Sequence, residues 1–271
     1  MSQKSAESLV GSVRRCGPFV LYLYHVWTII ELETLKIFKD PTEIISRSIQ
    51  PALWLILFGE AFSRIHMVPT GQVSYLAFLT PGILAQSIAF VSIFNGLAII
   101  WEKDMGILQK ILTTPVKRSA LVLGKMLAST VRSFSQLIVV IIVASTLGVH
   151  LKWSFDRVVG LLGFTILGSV FFTGFSMIIA ALVKTRERMM GIGQLVTMPL
   201  FFTSSALYPI SIMPKWLQTL AKINPLSYLV NGLRGLFLST SYAQGTDIGI
   251  LLMVSLLVWI WGTIQYPRLL I

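Results

Sequence analysis

The sequence has little charge and almost no cysteine. Only 12% of its 271 residues are Asp, Glu, Lys or Arg and 55% are hydrophobic, whereas an ordinary soluble domain is about 25% charged. This composition excludes a soluble globular domain and indicates an integral membrane protein. The single cysteine, Cys16, excludes an intrachain disulfide framework and a cysteine-cluster metal site.

Catalytic and ion-coupling groups are also scarce. The histidines, His25, His66 and His150, are scattered, so we predict no metal site, and no acid–base pair has catalytic spacing. Carboxylates are nearly absent from the long apolar segments, Glu60 lying near the end of one. An ion-coupled carrier usually keeps ionisable groups at mid-membrane. The sequence therefore disfavours an enzyme and a secondary transporter.

Six long apolar segments are separated by polar or Pro-containing stretches. We interpret them as transmembrane helices over residues 44–62, 75–101, 120–147, 157–183, 189–208 and 248–264. The fourth is rich in small residues, including Gly160, Gly168 and Gly174, which allow close helix approach. The predicted fold is all-α, with six spans in a single domain, 1–271.

The first 43 residues precede the first span. Residues 1–16 are polar and are predicted to be disordered. From Pro18 to Lys39 the apolar pattern is helical but is interrupted by Glu31, Glu33 and Lys36. This pattern indicates an amphipathic helix in the membrane interface rather than a span.

The basic residues fix a predicted orientation. If both termini are cytoplasmic, most of the 22 Lys and Arg residues lie on the cytoplasmic side. The exceptions are Arg64, Lys152, Arg157, Lys215, Lys222 and Arg234. The net charge of +11 does not indicate nucleic-acid binding, because the cations lie at the edges of apolar segments rather than on a soluble face.

The densest run of charge, within residues 102–118, lies between the second and third spans. Met105, Leu108 and Leu112 follow helical spacing from about residue 104, and Pro115 disfavours helix at the residue before it. We predict a helix of about ten residues, too short to span, with Glu102 and Asp104 in its first turn. It is either a solvated loop helix or a docking site for a soluble partner.

This segment carries a family resemblance. Its pattern, E-K-D-x-G-x-L-x-x-x-L-x-T-P-V-x-R followed by Leu123-Gly124-Lys125, resembles the cytoplasmic coupling segment of type-2 ATP-binding-cassette exporter permeases, in the daunorubicin-resistance-like branch. The resemblance implies a docking site for an ATPase. Its implied residues are Glu102, Asp104, Met105, Gly106, Leu108, Lys110, Ile111, Leu112, Thr114, Pro115 and Arg118.

A second, weaker signal lies before the last span. Residues 209–246 are apolar but broken by prolines, and we predict half-helices 214–222 and 225–238 forming a re-entrant hairpin at the outer face. The pattern N-P-x-x-Y-x-x-x-x-x-R resembles a stretch of the same permeases. Its residues here are Asn224, Pro225, Tyr228 and Arg234.

Polar and aromatic residues in the spans have open interpretations. Asn95, Arg132, Gln136 and Phe201 are candidates for a substrate path. Alternatively, Arg132 extends its guanidinium to the inner interface along its aliphatic stem. Asn95 and Gln136 are then hydrogen-bond partners between helices, and Phe201 is a packing residue.

The chain lacks a phosphate-binding loop, since Gly124-Lys125 is followed by Met126 and Ser119 replaces the first glycine. If ATP drives this protein, two separate ATPase chains use the ATP and Mg, and this chain binds no cofactor.

The resemblance further implies a permease dimer or heterodimer in a bacterial inner (plasma) membrane, surrounded by lipid. The expected cargo is a drug, lipid or lipid-linked glycan, moved by alternating access. The alternative is a passive channel, or a scaffold that recruits another cytoplasmic protein.

Overall fold

The computed structural model describes residues 17–40, 42–63, 74–107, 110, 113, 116–149, 154–183, 186–238 and 244–266. All regular structure in these ranges is helical. The prediction of disorder for residues 1–16 lies outside them. The helices are α1 Pro18–Lys39, α2 Thr42–Ser63, α3 Tyr75–Leu97, α4 Ile99–Asp104, α5 Arg118–Thr146, α6 Phe155–Ala180, α7 Arg186–Phe202, α8 Lys215–Ile223, α9 Pro225–Leu238 and α10 Gln244–Gln265, with a 3₁₀ turn at Ile210–Ile212.

Four of the described helical stretches are long and apolar enough to cross a membrane: Tyr75–Asp104, Arg118–Thr146, Phe155–Ala180 and Gly245–Gln265. They correspond to the second, third, fourth and sixth predicted spans. Helix α7 has 17 residues, about 26 Å at 1.5 Å per residue, which is shorter than the hydrocarbon core. Helix α2 carries Glu43 and Arg47 in its first two turns. The prediction of six spans therefore stays a prediction.

Helix α3 is the centre of the bundle and is buried along most of its length. It packs against α2, α5, α6, α7 and α9, while α10 covers α5, α6 and α9. Helix α1 lies along α5, with Ile29 against Gly124. Its opposite side exposes large apolar residues, including Phe19, Trp27 and Phe38. This two-sided pattern agrees with the amphipathic helix predicted from the sequence.

A buried cluster of hydroxyl groups joins α3, α5 and α6. Ser169 Oγ lies 2.6 Å from Ser129 Oγ, 3.1 Å from Ser133 Oγ and 3.2 Å from Ser92 Oγ. Thr173 donates to Ser129 Oγ at 2.6 Å. Because lipid does not drive apolar helices together, hydrogen bonds of this kind favour one arrangement of three helices over others.

Small residues bring α6 close to its neighbours, as the sequence predicted. A Cβ atom added at Gly160, Gly168 or Gly174 would clash with side chains of other helices. The tightest approach is between α3 and α6, where a Cβ on Gly96 would lie 2.5 Å from the Thr173 carbonyl oxygen and closer still to Ser176 Oγ. These two helices are therefore in backbone contact.

Beyond Phe202 the chain differs from the predicted fifth span. The prediction continued this helix to residue 208, but α7 ends at Phe202 and residues 203–208 form turns and bends. The following helices, α8 and α9, lie within one residue of the predicted half-helices. Pro214 and Pro225 mark their starts, because proline fits the beginning of a helix. Their placement as a re-entrant hairpin stays a prediction.

We predict that Gly96→Ala destabilises the protein by about 1–3 kcal/mol, because a backbone carbonyl cannot move aside for the new methyl group. Thermal unfolding in detergent measures this change. Gly163→Ala is the matched control, since a Cβ there meets nothing within 4 Å. Equal midpoints for the two variants would contradict the proposed tight contact.

Candidate functional site

The predicted coupling segment begins differently from the prediction. Glu102 and Asp104 lie in the last turn of α4, which continues α3 after a turn at Ala98. Gly106 then adopts a left-handed φ of 68°, and Ile107 and Lys110 are helical again. The prediction that Glu102 and Asp104 start the coupling helix is therefore wrong. Gly106 was the missed signal, because glycine commonly follows a helix end in this conformation.

The two sides of this segment have different environments. Met105 is 58% exposed and Ile107 is 37% exposed, so apolar surface faces outward after α4. Thr113 donates to the carbonyl of Lys110 at 2.8 Å, and Arg118 begins α5. The predicted docking residues Leu108, Ile111, Leu112, Thr114 and Pro115 lie outside the described residues.

Glu102 points inward and is buried. Lys125 Nζ donates to Glu102 Oε2 at 2.5 Å, and Lys36 Nζ donates to Glu102 Oε1 at 3.0 Å. Both lysines also contact Glu33 Oε1, at 3.3 Å from Lys125 and 2.7 Å from Lys36. These four side chains join α1, α4 and α5. Glu102 is therefore already paired inside the protein, and its predicted role in docking stays a prediction.

The same network continues toward α2. Arg132 Nε lies 3.3 Å from Glu43 Oε1, and its Nη1 lies 3.8 Å from Glu33 Oε2. Arg47 Nε lies 3.2 Å from Glu43 Oε1. We call this set the inner charge cluster. It consists of Glu33, Lys36, Glu43, Arg47, Glu102, Lys125 and Arg132.

The electrostatics of α1 are set by this cluster. Burial raises the pKa of Glu33, but the charges of Lys125, Lys36 and Arg132 outweigh burial and hold that pKa at about 2, below its ordinary value of 4.5. For Lys36, burial lowers the pKa, but the carboxylates of Glu102 and Glu33 raise it above 10.5 overall. Both groups are therefore charged at neutral pH.

Two cavities flank the cluster. A polar cavity of about 240 Å³ is lined by Asn95, Arg132 and Thr173 among others. A larger cavity of about 620 Å³ lies between α1, α5 and the coupling segment, with mostly apolar walls. Glu33, Lys36, Glu102, Ile107 and Lys125 line both cavities.

The predicted substrate-path residues are only partly brought together. Asn95 and Arg132 share the polar cavity. Arg132 is only 7% exposed and pairs with glutamates of α1 and α2. The alternative that its guanidinium extends to the inner interface stays a prediction. Gln136 donates to Ser48 Oγ at 3.1 Å and joins α5 to α2, as its alternative predicted. Phe201 is fully buried against Trp54, with ring centroids 5.5 Å apart.

At the other end of the bundle, the N-P-x-x-Y pattern holds the chain that follows α7. Asn224 Nδ2 donates to the Leu200 carbonyl at 2.6 Å and to Thr203 Oγ1 at 2.9 Å, while its Oδ1 accepts from Leu226 N at 2.9 Å. Tyr228 donates to the Lys222 carbonyl at 2.5 Å. One asparagine thus caps α9 and fixes the end of α7.

Arg234 completes the same arrangement. It is 2% exposed, donates to the Ser205 carbonyl at 2.7 Å, and lies 3.7 Å from the ring centroid of Phe78. The non-helical residues after α7 expose carbonyls that a helix would have satisfied. The buried guanidinium supplies donors for them, so the second motif stabilises the conformation of residues 200–206.

A family model described as "ABC-2 type transporter" matches residues 24–238, from within α1 to the end of α9. The chain belongs to the ABC-2 type transporter family. It is therefore a multi-pass membrane protein and a transmembrane subunit of an ABC transporter, a kind of subunit whose ATPase is a separate chain. The matched region includes the whole inner charge cluster and the second motif, from Asn224 to Arg234.

Several curated proteins resemble this ABC-2 permease over most of their length. It is 30% identical over 211 residues to the transport permease ycf38 of Pyropia yezoensis, covering 77% of this chain and 72% of the relative. It is 27% identical over 237 residues to the daunorubicin resistance ABC transporter permease protein DrrB1 of Streptomyces coeruleorubidus, covering 86% and 80%. Nodulation protein J of Rhizobium meliloti is 28% identical over 182 residues, covering 66% and 68%.

Sequence reasoning missed most of the inner charge cluster of this ABC-2 permease. Glu33 and Lys36 were noted only as interruptions of an apolar pattern. Their spacing of three residues places them on one helix face, beside an otherwise apolar surface, and this was the available signal. Their partners Glu102 and Lys125 lie 66 and 92 residues away along the chain, respectively, so no local pattern identifies them.

We predict that Lys125→Gln lowers the free energy of unfolding by about 1.5–3 kcal/mol, because Glu33 and Glu102 keep Lys36 but lose the more buried of their two shared cations. Thermal unfolding in detergent measures the loss. Adding Glu102→Gln to the same chain should restore part of it. Lys117→Gln, at an exposed lysine outside the cluster, is the control and should unfold like the wild type. A Lys125→Gln variant as stable as this control would contradict the network.

We also predict that the stabilising effect of Glu33 depends on pH. Its pKa is lower in the folded protein than the ordinary 4.5, so the ionised carboxylate stabilises the fold above about pH 4.5, and this stabilisation is lost as the pH falls toward 2. The wild type should exceed Glu33→Gln in stability at pH 7, and the difference should shrink on acidification below pH 4.5. A difference that stays constant from pH 7 to pH 3 would refute this assignment.

Proposed function

We propose that this chain is the permease of an ATP-driven exporter, in which two cytoplasmic ATPase chains bind residues 102–115 and two permease copies, identical or homologous, form the translocation path. The observation that carries the proposal is the continuity of the exposed coupling segment with α4. Glu102 in α4 is buried and bonded to α1 and α5. Movement of the segment would therefore also displace α1 and α5.

The exposed side of the segment suits a protein partner. Met105 and Ile107 offer apolar surface, and Asp104, Lys110 and Arg118 are exposed beside them. In our proposal Met105, Leu108, Ile111 and Leu112 enter an apolar groove of the ATPase, and the exposed charges set the register. Glu102 instead transmits the movement inside the permease.

The proposed transport step follows from these connections. When the ATPases close on ATP and Mg, they move the coupling segment, and α4 moves with it. The inner charge cluster links this motion to α1, α2 and α5, whereas α3 is held against α6 by the contact at Gly96. Motion at the inner end relative to this fixed pair would alternate access between the two sides of the membrane.

The proposed cargo is a hydrophobic or amphipathic molecule such as a drug, a lipid or a lipid-linked glycan. Relatives named for daunorubicin resistance and doxorubicin resistance support this class. An apolar groove of about 620 Å³ lined by Phe171, Phe175 and Trp261 is consistent with an apolar ligand or lipid beside α6 and α10. The lysine and arginine distribution supports cytoplasmic termini in an inner (plasma) membrane.

The experiment is ATP hydrolysis by the candidate ATPase with liposomes that contain this protein. We expect stimulation by the wild type and loss of stimulation by Leu108→Asp, because the substitution would place a charge in the apolar groove. The matched control is Leu220→Asp, at an exposed leucine of α8 on the predicted outer side. Stimulation that survives Leu108→Asp would contradict the docking proposal, and association without ATP-dependent transport would contradict the exporter.

A further inference from the structure

The polar cavity beside the inner charge cluster is lined by a buried cation that has one donor nitrogen without a hydrogen bond. Arg132 is 7% exposed and lines this cavity, and its Nη1 is buried with no hydrogen-bond partner among the described residues. Leaving a buried charged donor without a hydrogen bond is costly. A guanidinium presents its N–H groups as a planar fork that matches phosphate and carboxylate oxygens. The cavity is therefore chemically suited to an anion.

The net charge of the side chains that line the polar cavity also favours an anion. The inner charge cluster contains the bases Lys36, Arg47, Lys125 and Arg132 and the acids Glu33, Glu43 and Glu102, so its formal net charge is +1. A single phosphodiester carries one negative charge and would neutralise the set. All seven side chains line the polar cavity.

The neighbouring apolar cavity supplies space for a hydrophobic body. It has a volume of about 620 Å³, within the range of ordinary ligand pockets. Its walls include Ile29, Leu32 and Leu121, and Lys39 and Lys110 add two further cations. The two cavities share five lining residues and therefore lie side by side. An anionic head in the polar cavity would place an attached apolar chain beside the apolar cavity.

The position of α1 favours a lipid as the source of this molecule. Its outer side exposes Phe19, Trp27 and Phe38, which is the pattern of a helix resting in the membrane interface. Basic pockets on the cytoplasmic side of membrane proteins attract anionic lipid headgroups. We propose that the two cavities form a binding site for an anionic phospholipid of the inner leaflet, with its phosphate at Arg132 and its chain between α1 and α5.

A lipid in this site would contact the coupling segment directly. Ile107 lines both cavities and Lys110 lines the apolar one, so a bound lipid touches the coupling segment from its inner side. Lipid binding itself does not depend on the proposed export function, and it is measured without an ATPase. Failure of one proposal is therefore distinguishable from failure of the other.

The test is native mass spectrometry of the purified protein in neutral detergent with added phosphatidylglycerol or with phosphatidylcholine of identical chains. We expect the wild type to retain phosphatidylglycerol in preference. Arg132→Gln should weaken this retention by roughly tenfold or more, because a charge-assisted hydrogen bond is lost. Lys39→Gln should weaken it by roughly fivefold, the effect of one cation near an anionic headgroup.

Controls keep each result decisive. Lys215→Gln removes an exposed cation of α8, away from the cavities, and should bind like the wild type. Lys39 is exposed, so Lys39→Gln tests the site even if Arg132→Gln unfolds. Equal retention of the two lipids by the wild type, or unchanged phosphatidylglycerol binding in Lys39→Gln and in folded Arg132→Gln, would overturn the proposal. Binding of inorganic phosphate without a preference between the lipids would show a free-anion site and would also overturn it.

Discussion

The position of the Lys125 ammonium between Glu102 and Glu33 is the constraint on which the inner half of this protein depends. Burying these charges costs solvation, which is recovered only while the partners keep close geometry. The carboxylates come from α4 and α1, and the cation comes from α5. A shift of α4 alone would leave Glu102 unpaired, and a shift of α5 alone would leave Lys125 unpaired. The coupling segment therefore begins from a rigid, multiply anchored end, although its outer surface is exposed.

Three polar layers specify how the helices fit together. The first layer, near one end of the bundle, is the charge cluster. The second is the set of hydroxyls around Ser169, and the third, near the opposite end, is the group of carbonyls bound by Arg234 and Asn224. Apolar packing alone gives little direction in lipid, because lipid chains compete equally for apolar surface. Each layer joins a different combination of elements. Together they connect α3, or α4 that continues it, to neighbouring helices near both ends and in the middle of the bundle.

The sequence predicted the elements whose ends are marked by local chemistry. Pro18, Pro214 and Pro225 mark helix starts, so α1, α8 and α9 lie within one residue of their predicted bounds. The errors arose where distant residues decide. The amphipathic spacing from residue 104 predicts a coupling helix whose first turn contains Glu102. In the structure Glu102 belongs to α4, where it pairs with Lys36, 66 residues away along the chain. Likewise, distant residues bind the chain where α7 ends. Asn224, just before α9, donates to the Leu200 carbonyl in the last turn of α7, and Arg234 of α9 donates to the Ser205 carbonyl beyond it.

The same contrast explains how one segment can be both anchored and accessible. Glycine at position 106 adopts a left-handed conformation that side chains with a Cβ rarely tolerate. The chain therefore turns sharply after α4, and the buried Glu102 is separated from the exposed Ile107 by only a few residues. The turn lets the inner contacts be optimised for ion pairing while the exposed part remains available for a partner.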